Sequence, residues 1–208
     1  TSLERLFIVF LQKVHQHLPG REYFIQSFNR VFEAQLASRK QKESPLSPEE
    51  IREVTYRKGG HSLLFYRSVF EHAIVDGEEE ALYQAGALMQ LGNDIFDVYD
   101  DSREGIMTLP ASCMHIGELR EDYRMQMARI IRAVDEMNFP SRNKRRFLQK
   151  FLLGMTRCQV CMDQLEKLEE KTNNTFKPLK YSRKELICDM EKRKKNLRSL
   201  RHYLSQPL

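Results

Sequence analysis

Apolar positions recur at helical spacing almost throughout the chain. Leu3, Phe7, Phe10, Val14 and Leu18 mark a first amphipathic helix, which Pro19-Gly20 should break. Phe24, Phe28, Val31 and Leu36 mark a second, and the polar stretch 38–47 reads as a loop. Ser47-Pro48-Glu49-Glu50 is a strong helix start, with Ser at the N-cap, Pro at N1 and Glu at N3 closing a capping box. The helix it opens is expected to run to Asp76-Gly77, with Gly77 as its C-cap. Glu78-Glu79-Glu80 suits the positive end of a fourth helix, expected to continue to about Arg103 and to stop before Gly105 and Pro110. Further helices are predicted over 118–137, 141–170 and 182–204, the last opened by a Ser182 to Glu185 capping box. No alternating stretch argues for a sheet and no internal repeat is present. The pattern predicts an all-α bundle of long helices, a single helical domain over 1–208.

Composition agrees with that picture. Gly and Pro are scarce, at 9 and 7, which disfavours a chain of many short strands and turns. No uncharged apolar stretch approaches the roughly 18 residues of a membrane span, so no transmembrane segment is expected, and at most a peripheral contact with a membrane. The first residues carry Glu4, Arg5 and Lys13 in an amphipathic pattern, so they are not expected to form a signal peptide. The chain begins at Thr1 with helical periodicity already running, so it is expected to be the C-terminal portion of a longer protein. Cys113, Cys158, Cys161 and Cys188 are too few and too scattered for a disulfide framework, and reduced thiols in a cytoplasmic protein are expected. Cys158 and Cys161 form a C-x-x-C inside a helical pattern, read as two small core thiols one turn apart. The net charge is +5 and the bases cluster late, as in Lys192-Arg193-Lys194-Lys195. Aromatics are not interleaved with them as base stacking requires, so a solvated face is expected rather than a nucleic-acid platform.

The informative segment is 73–102. It carries eight acids and none of the chain's 34 Lys and Arg residues. Like charges one helical turn apart repel, so this arrangement asks for a reason. On a helical wheel Gly86, Gln90, Asn93, Asp97 and Asp101 fall within about 40° of one direction, and Leu88, Leu91, Ile95 and Tyr99 point the other way. One side should pack into the protein while the other presents carboxylates and amides, with Gly86 as a pocket floor. Oxygen donors of this kind suit hard divalent cations, and Mg²⁺ in particular is held by few carboxylates plus substrate phosphates. An acidic exposed stripe that pairs with basic helices is the alternative reading.

Gln90-x-x-Asn93-x-x-x-Asp97-x-x-x-Asp101, followed by Gly105 and Pro110, resembles the second aspartate-rich motif of the squalene/phytoene synthase family, Q-x-x-N-I-x-R-D-x-x-E-D. Asp100-Asp101 stand where that motif has Glu-Asp. The same residues are similar to the Asn, Ser/Thr and Glu metal triad of terpene cyclases, which share the all-α isoprenoid synthase fold. Tyr56-Arg57-Lys58-Gly59-Gly60 resembles the Tyr and small-residue segment on the preceding helix of that superfamily. Two departures stand out: Phe96 and Ile106 replace arginines of the family pattern. Nothing in 1–72 has the form of the first Asp-rich motif, which is expected upstream of this chain.

The resemblance implies an isoprenoid-synthase-like fold and a Mg²⁺-dependent enzyme acting on allylic prenyl diphosphates, by ionisation and then condensation or cyclisation. It implies Asn93, Asp97 and Asp101 as metal ligands and catalytic residues, with Gln90, Arg57 and Lys58 as substrate contacts. Leu64, Phe65, Phe70 and Met89 are candidates to shield the hydrocarbon from water. The competing reading is a non-enzymatic helical binding module with an acidic docking stripe and a basic tail.

Overall fold

The computed structural model describes residues 2–17 and 21–206, all helix, turn and coil with no strand among them. The all-α expectation is therefore borne out. Thr1, Leu18 and the Pro19-Gly20 break lie outside the described residues. Helices α1 (Ser2–His17) and α2 (Arg21–Ala37) are followed by a short α3 (Lys40–Glu43) in the stretch read as a loop. Helix α4 (Pro48–Arg67) begins as its sequence dictates: Ser47 Oγ accepts from Glu50 N, while Ser47 N donates to Glu50 Oε2 at 2.7 Å.

Helix α4 stops ten residues before the expected end, and the reason is an arginine. Arg67 Nε donates to Glu78 Oε1 at 2.6 Å, and its other nitrogens hold the carbonyls of His72 and Ala73. Glu78 also accepts from Val75 N, so one nearly buried ion pair folds the segment 68–77 into a compact turn. Gly77, at φ 78°, is thus the N-cap of the next helix and not the C-cap of α4. That next helix, α5 (Glu78–Phe96), is the centre of the molecule. Ala81, Ala85, Leu88, Leu91 and Ile95 are fully or almost fully buried between α4 on one side and α8 (Ile116–Glu136) and α9 (Ser141–Glu170) on the others.

The helix expected over 78–103 is divided at Asp97 (φ −90°, ψ 6°), beyond which α6 (Val98–Glu104) continues. The hydrogen-bond ladder still crosses the junction, from Asp97 N to Asn93 O and from Asp101 N to Asp97 O, both 2.9 Å. Gly105, at φ 70°, ends α6 as an αL cap. The loop beyond is pinned to α3: Gln41 Nε2 donates to Met107 O, and Met107 N donates back to Gln41 O, both at 2.9 Å. Pro110 then sits in the first turn of α7 (Leu109–Ser112).

The helix expected over 182–204 is also divided. Its capping box forms, but it opens only the single turn α10 (Arg183–Leu186), and α11 spans Arg193–Leu204. From the last residue of α10 onward, Leu186, Cys188 and Met190 are buried in alternation, the period of an extended strap pressed onto α9. Tertiary burial overrides helix propensity here. In a separate apolar cluster, Phe24 and Phe28 of α2 pack tilted against Phe65 of α4, with ring centroids 5.6 and 6.0 Å away.

Candidate functional site

Helices α4 and α5 approach closely where both carry glycine. A methyl group on Gly59 would overlap the Gly86 carbonyl oxygen and lie 2.6 Å from Gln90 Cβ, and one on Gly60 would enter the Tyr83 ring. The paired glycines therefore serve helix packing, and α4 runs through them unbroken. Gly86 is filled by the Gly59 backbone, so it is not the floor of a pocket as its place on the wheel implied.

This close approach brings Thr55 and Lys58 of α4 beside the acidic turn of α5. Asp94 is the carboxylate they meet. It is 5% exposed, and it accepts from Gln90 Nε2 at 2.7 Å and from Thr55 Oγ1 at 3.2 Å. Burial pushes its carboxyl up to about 6, against the pull of those two hydrogen bonds and the Lys58 charge. Asp101, half-buried one turn into α6, accepts from Thr108 Oγ1 at 3.1 Å. Burial and the nearby Asp94 charge push it up to about 6 as well, with Asp97 adding to the effect. Asp97 lies between them and accepts from Asn93 Nδ2 at 2.8 Å. Three carboxylates thus share one field, and the excess negative charge is not neutralised inside the cluster.

Of the other five acids of the segment, two differ by having arginine partners, while Glu80 accepts from Gln84 Nε2, and Asp76 and Asp100 make no ion pair among the described residues. Glu78 is bound to Arg67, and Glu79 to Arg30 at 3.1 Å. Among the described residues Asp94, Asp97 and Asp101 have no basic side chain within salt-bridge distance, and Lys58 makes no ion pair or side-chain hydrogen bond of its own. Its influence on Asp94 and Asp101 is that of a nearby, uncommitted cation.

Of the residues singled out by the sequence, Gln90, Asp97, Asp101 and Lys58 are brought to this cluster. Gln90 is committed through its amide nitrogen to orienting Asp94. Asn93 is exposed at the flank, with its amide nitrogen on Asp97 and its oxygen free. Arg57 is not brought in. It pairs with Glu53 at 3.6 Å and lies near His61 and Tyr83, on a different flank of α4. The four apolar candidates do not converge either: Leu64 and Phe65 are buried, Phe65 against α2, whereas Phe70 and Met89 are exposed at separate places. Asp94, Thr55 and Thr108 were missed. An acid between Leu91 and Ile95, on the apolar stripe, was the available signal for Asp94.

Among the described residues no three His, Cys, Asp or Glu side chains converge tightly enough to hold a metal ion by themselves. Among the described residues no helix is long and apolar enough to cross a membrane. The chain matches no family model, no curated protein and no solved structure.

Proposed function

We propose that this chain carries the metal-diphosphate half-site of a class I isoprenoid synthase-type enzyme acting on an allylic prenyl diphosphate. The observation that carries the reading is the electrostatic frustration of a partly buried stretch of α5 and α6. Burial, with Asp97 nearby, raises the proton affinity of Asp94, and burial, Asp94 and Asp97 raise that of Asp101, beside an unpaired Lys58. Such a stretch is costly in the protein alone and is relieved by a bound cation.

The oxygen donors fit Mg²⁺ in the manner usual for that ion, in which one or two carboxylates are supplemented by water and substrate phosphate oxygens. A closed protein cage is not needed, which is compatible with the absence of a convergent three-ligand set among the described residues. Asp97 and Asp101 would hold the ion, with the free Asn93 oxygen at the flank. When bound, the ion supplies electrostatic stabilisation of a departing pyrophosphate. Lys58 is placed to attract the diphosphate, while Gln90 and Thr55 fix Asp94, and Thr108 fixes Asp101, so that the charges are held in position before ligand arrives. The pairing of Glu78 and Glu79 with arginines of the same chain weighs against an acidic docking stripe.

The test is Mg²⁺-dependent release of pyrophosphate from allylic prenyl diphosphates of graded chain length. Asp97→Asn combined with Asp101→Asn is expected to abolish release. Unchanged turnover in the double variant would remove the assignment.

A further inference from the structure

The C-x-x-C of α9 acquires a third thiol from the strap between α10 and α11. Cys188 is 6% exposed, and its sulfur accepts from Lys195 Nζ at 3.3 Å. The same ammonium is held in place by Gln164 Oε1 at 2.6 Å, so it is anchored to α9 beside the sulfur. Cys161 is the neighbouring thiol, its own S–H directed at the Ile95 carbonyl at 3.7 Å, and the Cys188 thiol donates to Met190 Sδ at 3.7 Å. Gln164 also donates to the Ile187 carbonyl, which fixes the strap over α9.

The environment separates the thiols chemically. The neighbouring Cys161 thiol, with the Lys195 charge, holds the Cys188 thiol well below its ordinary value despite burial. Cys161 is pushed up by the adjacent Cys188 and by burial, so it keeps the proton. Burial pushes Cys158 up to about 11. The sulfur is not sealed off. Cys188 lines a groove of about 500 Å³ with Cys158, Met155, Met190, Gly154 and Arg157. An acidified thiol beside a fixed ammonium, a second thiol next to it and an open approach are the parts of a peroxide-reactive pair.

We propose that Cys188 is a nucleophilic site for hydroperoxides and that Cys161 resolves it. The Cys188 sulfur attacks the terminal oxygen of the hydroperoxide, the O–O bond breaks, and the departing oxygen takes a proton to leave as an alcohol or water. Cys188 is then a sulfenic acid. The Cys161 sulfur attacks it, the S–O bond breaks, and the hydroxide leaves as water with the Cys161 proton. Two thiols are oxidised to one disulfide and one hydroperoxide is reduced. The product covalently ties the strap to α9, next to the turn of α5 that carries Gly92. The site is independent of the diphosphate reading.

Hydrogen peroxide added to the full chain, followed by non-reducing peptide mapping, tests it. The expected product is a Cys161–Cys188 linked peptide, and in Cys161→Ser a dimedone adduct on Cys188. Lys195→Met, at a half-buried position, is expected to slow alkylation of Cys188 by iodoacetamide at neutral pH about tenfold. Cys113, which burial pushes up to about 12, serves as the unreactive reference within the same chain. Oxidation of Cys188 no faster than that of Cys113, or a dominant disulfide through Cys158, would overturn the proposal.

Discussion

Asp94 sits where a buried charge is least welcome, 5% exposed and flanked by Leu91 and Ile95, which are fully buried. Burial penalises the charged form and pushes its carboxyl up to about 6, above the ordinary carboxylate range. A folded-state value above the unfolded one means that the folded chain binds the extra proton. No cost is therefore present below the unfolded value, and the cost develops as pH rises through the folded one. Asp94→Asn is accordingly expected to gain about 2–3 kcal/mol relative to the wild type between roughly pH 4 and pH 7, read from urea midpoints in metal-free buffer. A constant difference across that window would show that Asp94 is not the frustrated group. The same titration predicts that affinity for Mg²⁺ weakens as pH falls through about 6, where protons compete for Asp94 and Asp101. Asp94 also shows what the sequence concealed. The polar stripe Gln90, Asn93, Asp97 and Asp101 was legible from helical spacing, but an acid on the apolar side is only interpretable once Thr55 and Lys58 are known to face it.

Helix α4 and helix α5 are positioned by two features of different legibility. The capping box that starts α4 follows directly from Ser47-Pro48-Glu49-Glu50, because it is local. The ion pair that ends it joins Arg67 to Glu78 across a turn, and no spacing rule announces it. Arg67→Ala leaves Glu78 buried without its partner and is expected to cost about 3 kcal/mol, with Arg67→Met/Glu78→Met costing less than the single change. Equal losses in the single and double variants would mean that packing, not the charge pair, holds the turn. Gly59→Ala forces α4 away from the Gly86 carbonyl and is expected to cost about 2–3 kcal/mol while disturbing the Thr55–Asp94 contact. The two late breaks, at Asp97 and across 187–192, were illegible for the opposite reason. Local propensity there favours helix, and burial of side chains against α9 or the turn at the α5–α6 junction decides otherwise.

Across the whole molecule, α5 is the element on which everything else is hung. Its apolar stripe is held by α4, α8 and α9, and two populations of acids stand out along α5 and its continuation α6. Glu78 and Glu79 near its start are matched by arginines of α4 and α2, and so belong to the architecture. Asp94 near the end of α5, Asp97 at the junction and Asp101 in α6 have no basic side chain within ion-pair distance among the described residues, and Lys58 is the uncommitted cation that influences Asp94 and Asp101. The bundle was readable from periodicity because buried stripes are a property of each helix alone. Which acids are spent internally and which are not depends on pairings between helices distant in sequence. The central claim is that this second population exists to share a divalent cation with a phosphorylated ligand. Calorimetric titration of inorganic pyrophosphate, with and without Mg²⁺, into the wild-type chain and into Asp97→Asn/Asp101→Asn tests it directly. Binding that requires Mg²⁺ and drops at least tenfold in the double variant is the expected result. Pyrophosphate binding that ignores Mg²⁺, or that survives loss of both carboxylates, would contradict it.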